Sequence, residues 1–156
     1  MSETEEEITA LFARLDASWS QRDFDDILAL WDREETDPIY VAEEADTNFG
    51  WPAIEAYFAA TGNLITRAAH RRSGTRVKDI GPDLALVFYD MHWNAELAPG
   101  GLYGGEMIAG DVRVSMVLRR KPEGWRIFHY MEAPPAAMNQ MREAMTAKVD
   151  PDFRRG

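Results

Sequence analysis

Apolar residues in the first part of the chain recur at helical spacing. The stripe of the first predicted helix comprises Ile8, Leu11, Phe12, Leu15 and Trp19. Thr4 and Glu7 have the spacing of a capping box at its start. After "SQRD", Asp23 is the predicted N-cap of a short second helix that reaches about Trp31. Pro52 suits the first turn of a third helix, which "TGN" ends or interrupts.

From about Arg72 the apolar pattern changes to alternation, which is typical of β-strands. The predicted strands are "TRVKDI", "LALVFYDMHWNAEL", "MIAGDVRVSMVLRR" and "WRIFHYMEA". Helices followed by an antiparallel sheet predict an α+β fold with the helices on one side of the sheet. A sheet that curls round its helices leaves a hollow between them, so the pattern also predicts a pocket.

The length of 156 residues predicts a single domain over residues 1–156, with a core of about 5–135 and a tail of 136–156. The tail has a weak helical pattern, and we expect it to pack outside the main body. No apolar run approaches the roughly 20 residues that cross a bilayer. The acidic start differs from a secretory signal, so the predicted location is cytoplasmic.

The formal net charge of −10 argues against nucleic acid and against acidic membrane surfaces as partners. The short basic clusters at residues 71–72 and 119–121 are interpreted as solvated strand ends. Cysteine is absent, which removes disulfides, thiolate nucleophiles and sulfur metal ligands. The three histidines lack metal-site spacing, and His70 is expected in solvent. We therefore predict no metal and no cofactor.

Three segments in this order resemble the nuclear transport factor 2-like superfamily: "QRDFDDILALW", "FGWPAIEAYF" and "VRVSMVLRRKPEGWRIFHY". This superfamily includes ketosteroid isomerases, polyketide cyclase-like proteins and the association domain of calcium/calmodulin-dependent kinase II. The resemblance covers about residues 5–135. It implies a cone-shaped fold (a cystatin-like roll), in which a strongly bent antiparallel sheet wraps round three N-terminal helices. It further implies an apolar cavity at the wide end and a homodimer formed through the sheet.

Asp37 is the first catalytic candidate that the resemblance implies. The segment "TDPI" is similar to the one that carries the general base of ketosteroid isomerases, at the mouth of their pocket. The tyrosine that those enzymes use on the first helix is replaced here by Leu15. Asp-Pro is also a common turn signal, which favours a solvated Asp37.

Arg113 is the second candidate, since its place resembles an arginine that reaches the cavity in kinase association domains. A buried arginine requires a carboxylate, which a ligand or Glu132 would supply. A ligand carboxylate would make Arg113 a recognition residue, whereas Glu132 would make a structural pair. Both readings stay open at the level of sequence.

His92 is the third candidate, because it lies on the polar set of the long strand with Asp90 and Asn94 and could act as an acid or base. A bulge would reverse the direction in which the side chains point, so that Met91 and Trp93 rather than His92 would face the cavity. In the last strand, the resemblance places Phe128, Tyr130 and Glu132 in the cavity. It places Trp125, Ile127 and His129 on the outside.

The loop "EEADTNFG" is expected to form the roof of the cavity, with aromatic residues around it. The predicted ligand-binding residues are Tyr40, Trp51, Tyr57, Phe58, Trp93, Tyr130 and Glu132. Two functions fit this sequence. One is a cofactor-free isomerase or cyclase acting on a small apolar carbonyl compound. The other is a non-catalytic ligand-binding or oligomerisation domain that holds a small carboxylate.

Overall fold

Four long antiparallel strands follow the last of three helices, as the change of period predicts, and two short strands lie between the second and third helices. The computed structural model describes residues 2–101, 104–135 and 148–150. Its helices are α1 (Glu3–Gln21), α2 (Phe24–Ala29) and α3 (Gly50–Leu64). Its strands are β1 (Ile39–Val41), β2 (Asn48–Phe49), β3 (Ile65–Gly81), β4 (Leu84–Leu97), β5 (Met107–Lys121) and β6 (Gly124–Ala133). The expected α+β fold is confirmed, and the helical pattern predicted for the tail lies outside the described residues.

The six strands form one curved and unclosed sheet in the order β2-β1-β6-β5-β4-β3. Neighbouring strands are antiparallel except for β1 and β6, which run parallel. The inner face packs on the helices, because alternate residues of β4 and β5, from Ala85 to Met91 and from Val112 to Leu118, are buried. Among the described residues, the structure has no helix long and apolar enough to cross a membrane.

The first two helices begin with caps of the predicted kinds, but the cap of α1 lies two residues earlier than predicted. The capping box of α1 is formed by Ser2 and Glu5 rather than by Thr4 and Glu7. The two pairs have the same spacing, but Thr4 and Glu7 both accept hydrogen bonds from Arg120 of β5. Tertiary contacts therefore occupy the predicted cap, and the helix begins two residues earlier. Asp23 caps α2 as predicted.

A β-bulge in β6 overturns part of the predicted orientation of that strand. Val117 of β5 pairs with His129 and Leu118 pairs with Ile127, so Phe128 is the extra residue. Trp125 and Ile127, predicted to face outwards, are buried in the core at 3% and 1% exposure. Phe128, predicted in the cavity, lies instead beneath the guanidinium of Arg119 at 4.4 Å. The bulge then returns Tyr130 and Glu132 to the inner face.

The basic cluster at residues 119–121 is not simply solvated. Asp32 is buried, and it pairs with Arg119 at 2.5 Å and with Lys121 at 3.3 Å. Burial opposes ionisation of Asp32, but hydrogen bonds from Arg119, Lys121 and the Glu34 amide outweigh it and lower its pKa. This network joins the turn after α2 to the end of β5.

Gly110 of β5 allows the indole ring of Trp93 to lie flat across the neighbouring strand. A Cβ atom at position 110 would lie 2.8 Å from two carbon atoms of that ring. We therefore expect Gly110→Ala to lower the free energy of unfolding by about 1–3 kcal/mol, as overpacked substitutions do. Urea denaturation measures the change.

Gly100→Ala is the matched control, because a Cβ at position 100 has no neighbour within 4 Å. Its free energy of unfolding should stay within about 0.5 kcal/mol of wild type. Equal stabilities for the two alanine variants would contradict the packing of Trp93 on Gly110.

Candidate functional site

A cavity of about 150 Å³ lies between the helices and the inner face of the sheet. Residues from α1, α3, the β1–β2 loop and strands β1, β3, β4, β5 and β6 form its wall. The wall is mainly apolar and aromatic. It comprises Leu15, Trp19, Tyr40, Glu44, Tyr57, Thr61, Leu64, Ile65, Ala68, His70, Arg72, Tyr89, Met91, Trp93, Asn94, Ala95, Leu97, Ile108, Tyr130 and Glu132.

Three tyrosines from three elements form one side of the cavity. Tyr40 of β1 stacks on Tyr130 of β6, with ring centroids 5.0 Å apart and an interplanar angle of 8°. Tyr57 of α3 lies 4.8 Å from Tyr40, measured between centroids. Register brings the first pair together, because Tyr40 is directly opposite Tyr130 in the parallel β1–β6 ladder. The stack gives the cavity a rigid aromatic wall.

Glu132 is the carboxyl group on this wall. Its Oε1 accepts a hydrogen bond of 2.5 Å from the Tyr130 hydroxyl, and its Oε2 accepts one of 3.3 Å from the Glu43 amide. Burial raises the pKa of Glu132 to about 7, although these two hydrogen bonds oppose the shift and the charges of Glu44 and Glu43 add to it. Glu132 can therefore exchange a proton near neutral pH.

The roof loop, residues 42–47, joins β1 to β2 and carries two more carboxylates. Glu43 accepts a hydrogen bond of 2.8 Å from the Trp93 indole, and burial raises its pKa. Glu44 accepts one of 2.6 Å from the Tyr57 hydroxyl. Carboxylate oxygens of Glu43, Glu44 and Glu132 lie within 4.8 Å of one another, which is close enough to share one cation.

Arg72 lies on the cavity wall against α1, where the sequence predicts a solvated strand end. Its side chain is 12% exposed, and two of its nitrogens donate to Asp16 at 2.9 Å each. Its guanidinium lies 4.1 Å from the ring of Phe12 and 4.6 Å from that of Tyr89. The expectation fails because a residue that β3 brings over α1 is covered by that helix. Asp16 neutralises this buried cation.

His70 also lines the cavity rather than facing solvent as predicted. Its ring packs edge-on against Trp19 with centroids 5.1 Å apart. Burial lowers the pKa of His70 to about 4, and the partial opposition of Asp16 does not restore it. The imidazole is therefore neutral at pH 7. Strand β3 begins at Ile65, earlier than the alternation indicates, and this longer strand places His70 on the inner face.

Five of the residues predicted to bind ligand lie on the cavity wall: Tyr40, Tyr57, Trp93, Tyr130 and Glu132. The other two, Trp51 and Phe58, lie elsewhere. Trp51 donates its indole N–H to the Glu35 carbonyl at 2.9 Å and stacks under Arg33. Phe58 is buried in the core at 1% exposure. Leu15, which the resemblance places at the position of a tyrosine in the isomerases, also lies on the wall.

The structure places none of the three catalytic candidates on the wall. Asp37 is exposed in the turn before β1, and its amide donates to Glu35. Arg113 and His92 lie on the outer face of the sheet, where Arg113 donates to the Pro134 carbonyl and His92 pairs with Asp111 at 2.8 Å. Arg113 therefore does not pair with Glu132.

The orientation of β4 explains the position of His92 without any bulge. The β4–β5 register is unbroken from Leu84 to Glu96, so the apolar odd positions of β4 keep to the inner face. Met91 and Trp93 consequently line the cavity. The sequence-based expectation requires a bulge for this orientation, whereas the observed register needs none because the apolar set from Ala85 to Trp93 already faces inwards.

Comparison with known proteins places this geometry in a family. A family model for the SnoaL-like domain matches residues 8–137. A search of curated proteins gave no match.

Solved structures with the same fold include a candidate dehydratase of the nuclear transport factor 2-like family from Streptomyces avermitilis. It is 18% identical, with a TM-score of 0.73, over 86% of this chain and 97% of that one. A candidate kinase II association domain from Xanthomonas campestris is 14% identical, with a TM-score of 0.68, over 84% and 87% of the two chains. A candidate scytalone dehydratase from Novosphingobium aromaticivorans is 9% identical, with a TM-score of 0.71, over 83% of each chain.

At these identities the solved structures establish the fold, and the family model covers most of the chain. The chain therefore belongs to the SnoaL-like domain family, and it shares the fold of nuclear transport factor 2-like proteins.

Proposed function

We propose that the cavity binds a small carbonyl compound and that Glu132 moves a proton on it without a cofactor. The observation that carries this proposal is a half-buried carboxyl group on the wall of an apolar cavity, with a tyrosine hydroxyl 2.5 Å away. The pKa of Glu132, about 7, lies where an acid–base group is effective at neutral pH. Glu132 replaces the exposed Asp37 in this role.

The size of the cavity limits the substrate. An apolar cavity of about 150 Å³ holds a molecule such as benzene, and the cavity here has a similar volume. We therefore infer that one ring of the substrate enters, beside the stacked tyrosines. The wall combines many apolar groups with a few polar ones, as small-molecule sites commonly do.

Proton transfer next to a carbonyl supports isomerisation, cyclisation or dehydration. In each of these reactions a base removes a proton from carbon and a nearby donor stabilises the charge that develops on oxygen. Glu132 would act as the base, while the N–H of the neutral His70 imidazole on the same wall would act as the donor. Two of the similar structures are candidate dehydratases, and another is a hexachlorocyclohexane dehydrochlorinase, which fits this class of chemistry.

The alternative, a domain that holds a small carboxylate, is less well supported by the charges. Arg113, its proposed anchor, lies on the outer face of the sheet. Arg72 lies on the cavity wall, but Asp16 already binds two of its nitrogens. The remaining charged groups on the cavity side are carboxylates, and they would repel an anionic ligand.

Hydrogen–deuterium exchange tests the proposal without knowledge of the natural substrate. In D₂O at pH 7, the wild-type protein should accelerate exchange of the protons next to the carbonyl of cyclohexanone or cyclohexenone. Glu132→Gln should lower this acceleration at least about 100-fold, because general base catalysis contributes this much. Proton NMR measures the loss of the signal.

Glu55→Gln is the matched control, since Glu55 lies on α3 away from the cavity and pairs with Arg33. It should retain the wild-type rate. Absence of any acceleration by the wild-type protein, or an unchanged rate in Glu132→Gln, would contradict the proposed role of Glu132.

The pKa of Glu132 also predicts how stability depends on pH. Because the folded pKa of about 7 exceeds the ordinary value of 4.5, binding of a proton by Glu132 stabilises the folded protein, and this contribution to the free energy of unfolding is complete below pH 4.5. It is lost as the pH rises through 7. The full change is roughly 3 kcal/mol in the free energy of unfolding.

Glu132→Gln should remove this dependence and should be more stable than wild type at pH 8.5. Urea denaturation of both proteins between pH 5 and pH 8.5 measures the difference between them. His70 titrates in the opposite direction but is common to both proteins, so its contribution cancels. Parallel pH profiles would contradict a raised pKa at Glu132.

We also infer that two copies pair through the outer face of the sheet. Leu86, Phe88 and Met131 are 36%, 41% and 40% exposed there. Ser115 of β5 pairs with Phe88 of β4 on one side and with Met131 of β6 on the other. Leu86 lies two residues before Phe88 on β4, so it points to the same face. A continuous partly apolar surface of this kind supports an interface.

Sedimentation velocity tests this pairing. Wild type should sediment as a dimer, and Phe88→Glu should shift it towards monomer because it places a charge on the apolar rows. Phe49→Glu, at the opposite edge of the sheet, should leave the dimer intact. A monomeric wild type would overturn the inference.

A further inference from the structure

The hydrogen-bond donors at the carboxylate end of the cavity are already engaged within the protein. The Tyr57 hydroxyl donates to Glu44, the Tyr130 hydroxyl to Glu132, and the Trp93 indole to Glu43. Such bonds are charge-assisted where the carboxylate is ionised, and they are then stronger than bonds between neutral groups. A ligand group that needs a donor would have to break one of these bonds.

Acceptors, by contrast, remain available at this end. An ionised carboxylate has about four lone-pair positions, and a single hydrogen bond to Glu44 is formed within the described part of the chain. Glu44 is exposed and lines the cavity, so its second oxygen can reach a ligand there. Glu132 already accepts two hydrogen bonds, from the Tyr130 hydroxyl and the Glu43 amide, and its remaining capacity is needed for its role as the base.

The charges at the carboxylate end of the cavity also disfavour a ligand that carries a negative charge. Three carboxylates lie within 4.8 Å of one another, and the chain as a whole carries a formal charge of −10. The cation on the wall, Arg72, is neutralised by Asp16. His70 is neutral at pH 7 because burial lowers its pKa to about 4. These carboxylates would therefore repel a negatively charged ligand, and the described part of the wall offers no unpaired cation to offset the repulsion.

We propose that the cavity selects an uncharged ring compound that carries a hydroxyl group, and that Glu44 accepts the hydrogen bond from this hydroxyl. The inference rests on the proposed function and narrows its substrate class to hydroxylated compounds. Glu44 is then a specificity-determining residue, distinct from Glu132, which moves the proton. The carbonyl of the substrate would point away from the carboxylates, towards the β3–β4 wall that carries His70.

Phenol and fluorobenzene form the test pair, because they have similar size but only phenol is a donor. The indole N–H signal of Trp93, assigned with Trp93→Phe, reports binding in the cavity, and that of Trp125 serves as a remote reference. At pH 7, phenol should bind at least about tenfold more tightly than fluorobenzene, as expected for a hydrogen bond to a charged group. Benzoate should leave the Trp93 signal unchanged.

Glu44→Gln supplies the decisive variant. Glutamine keeps an oxygen for the Tyr57 hydroxyl but replaces the free acceptor with N–H donors. The preference for phenol should fall about tenfold, and benzoate should begin to shift the Trp93 signal. Glu55→Gln should keep the wild-type pattern. Circular dichroism should show an unchanged fold, since Glu44 is exposed.

The remaining outcomes separate the two proposals. Equal binding of phenol and fluorobenzene would overturn the hydroxyl inference while leaving the cavity as the ligand site. Benzylamine, which is protonated at pH 7, would overturn the preference for uncharged ligands if it bound more tightly than phenol in 150 mM salt. A Trp93 signal that no compound shifts would overturn both the inference and the cavity as a binding site.

Discussion

The single bulge in β6 decides which residues meet in the interior of this protein. Without the extra residue at Phe128, Trp125 and Ile127 could not share a face with Tyr130 and Glu132. With it, the first pair completes the core and the second pair lines the cavity. The stack of Tyr40 on Tyr130 depends on this orientation, and so does the hydrogen bond that holds the proton of Tyr130 against Glu132. A bulge next to a candidate active site is a recurrent arrangement in β-sheets.

The cavity wall separates its charges into two environments. Against α1, Arg72 and Asp16 form a bidentate pair covered by aromatic rings, so the cation is balanced before any ligand arrives. At the roof loop, three carboxylates lie together without a cation from the described wall, and each accepts a hydrogen bond from a tyrosine or a tryptophan. The second environment raises the pKa of Glu132 to about 7, chiefly because its carboxyl group is shielded from water and also because Glu43 and Glu44 lie beside it.

The sequence predicted the elements better than the site, and particular residues show why. The uninterrupted alternation of β4 indicated that its odd positions form one apolar set, and Met91 and Trp93 follow it. His70 and Arg72 were missed because β3 begins at Ile65, whereas the alternation of the sequence indicated a strand only from about Arg72. Arg113 was chosen by analogy and His92 from the polar set of its strand, and the observed register turns both to the outer face. Asp37 lies in a turn, as its Asp-Pro sequence also indicates.

The sequence by itself determined the order of helices and strands, because helical and alternating apolar periods are local properties of the chain. It also determined a chain without cysteine and with an excess of acidic residues. Tertiary structure alone decided that Glu132 faces the cavity as a proton-exchanging group, since its pKa depends on burial and on carboxylates distant in sequence. It likewise decided that Arg72 is neutralised within the protein, because Asp16 comes from a helix far along the chain. Register and burial are collective properties, and neither is contained in the spacing of residues along one strand.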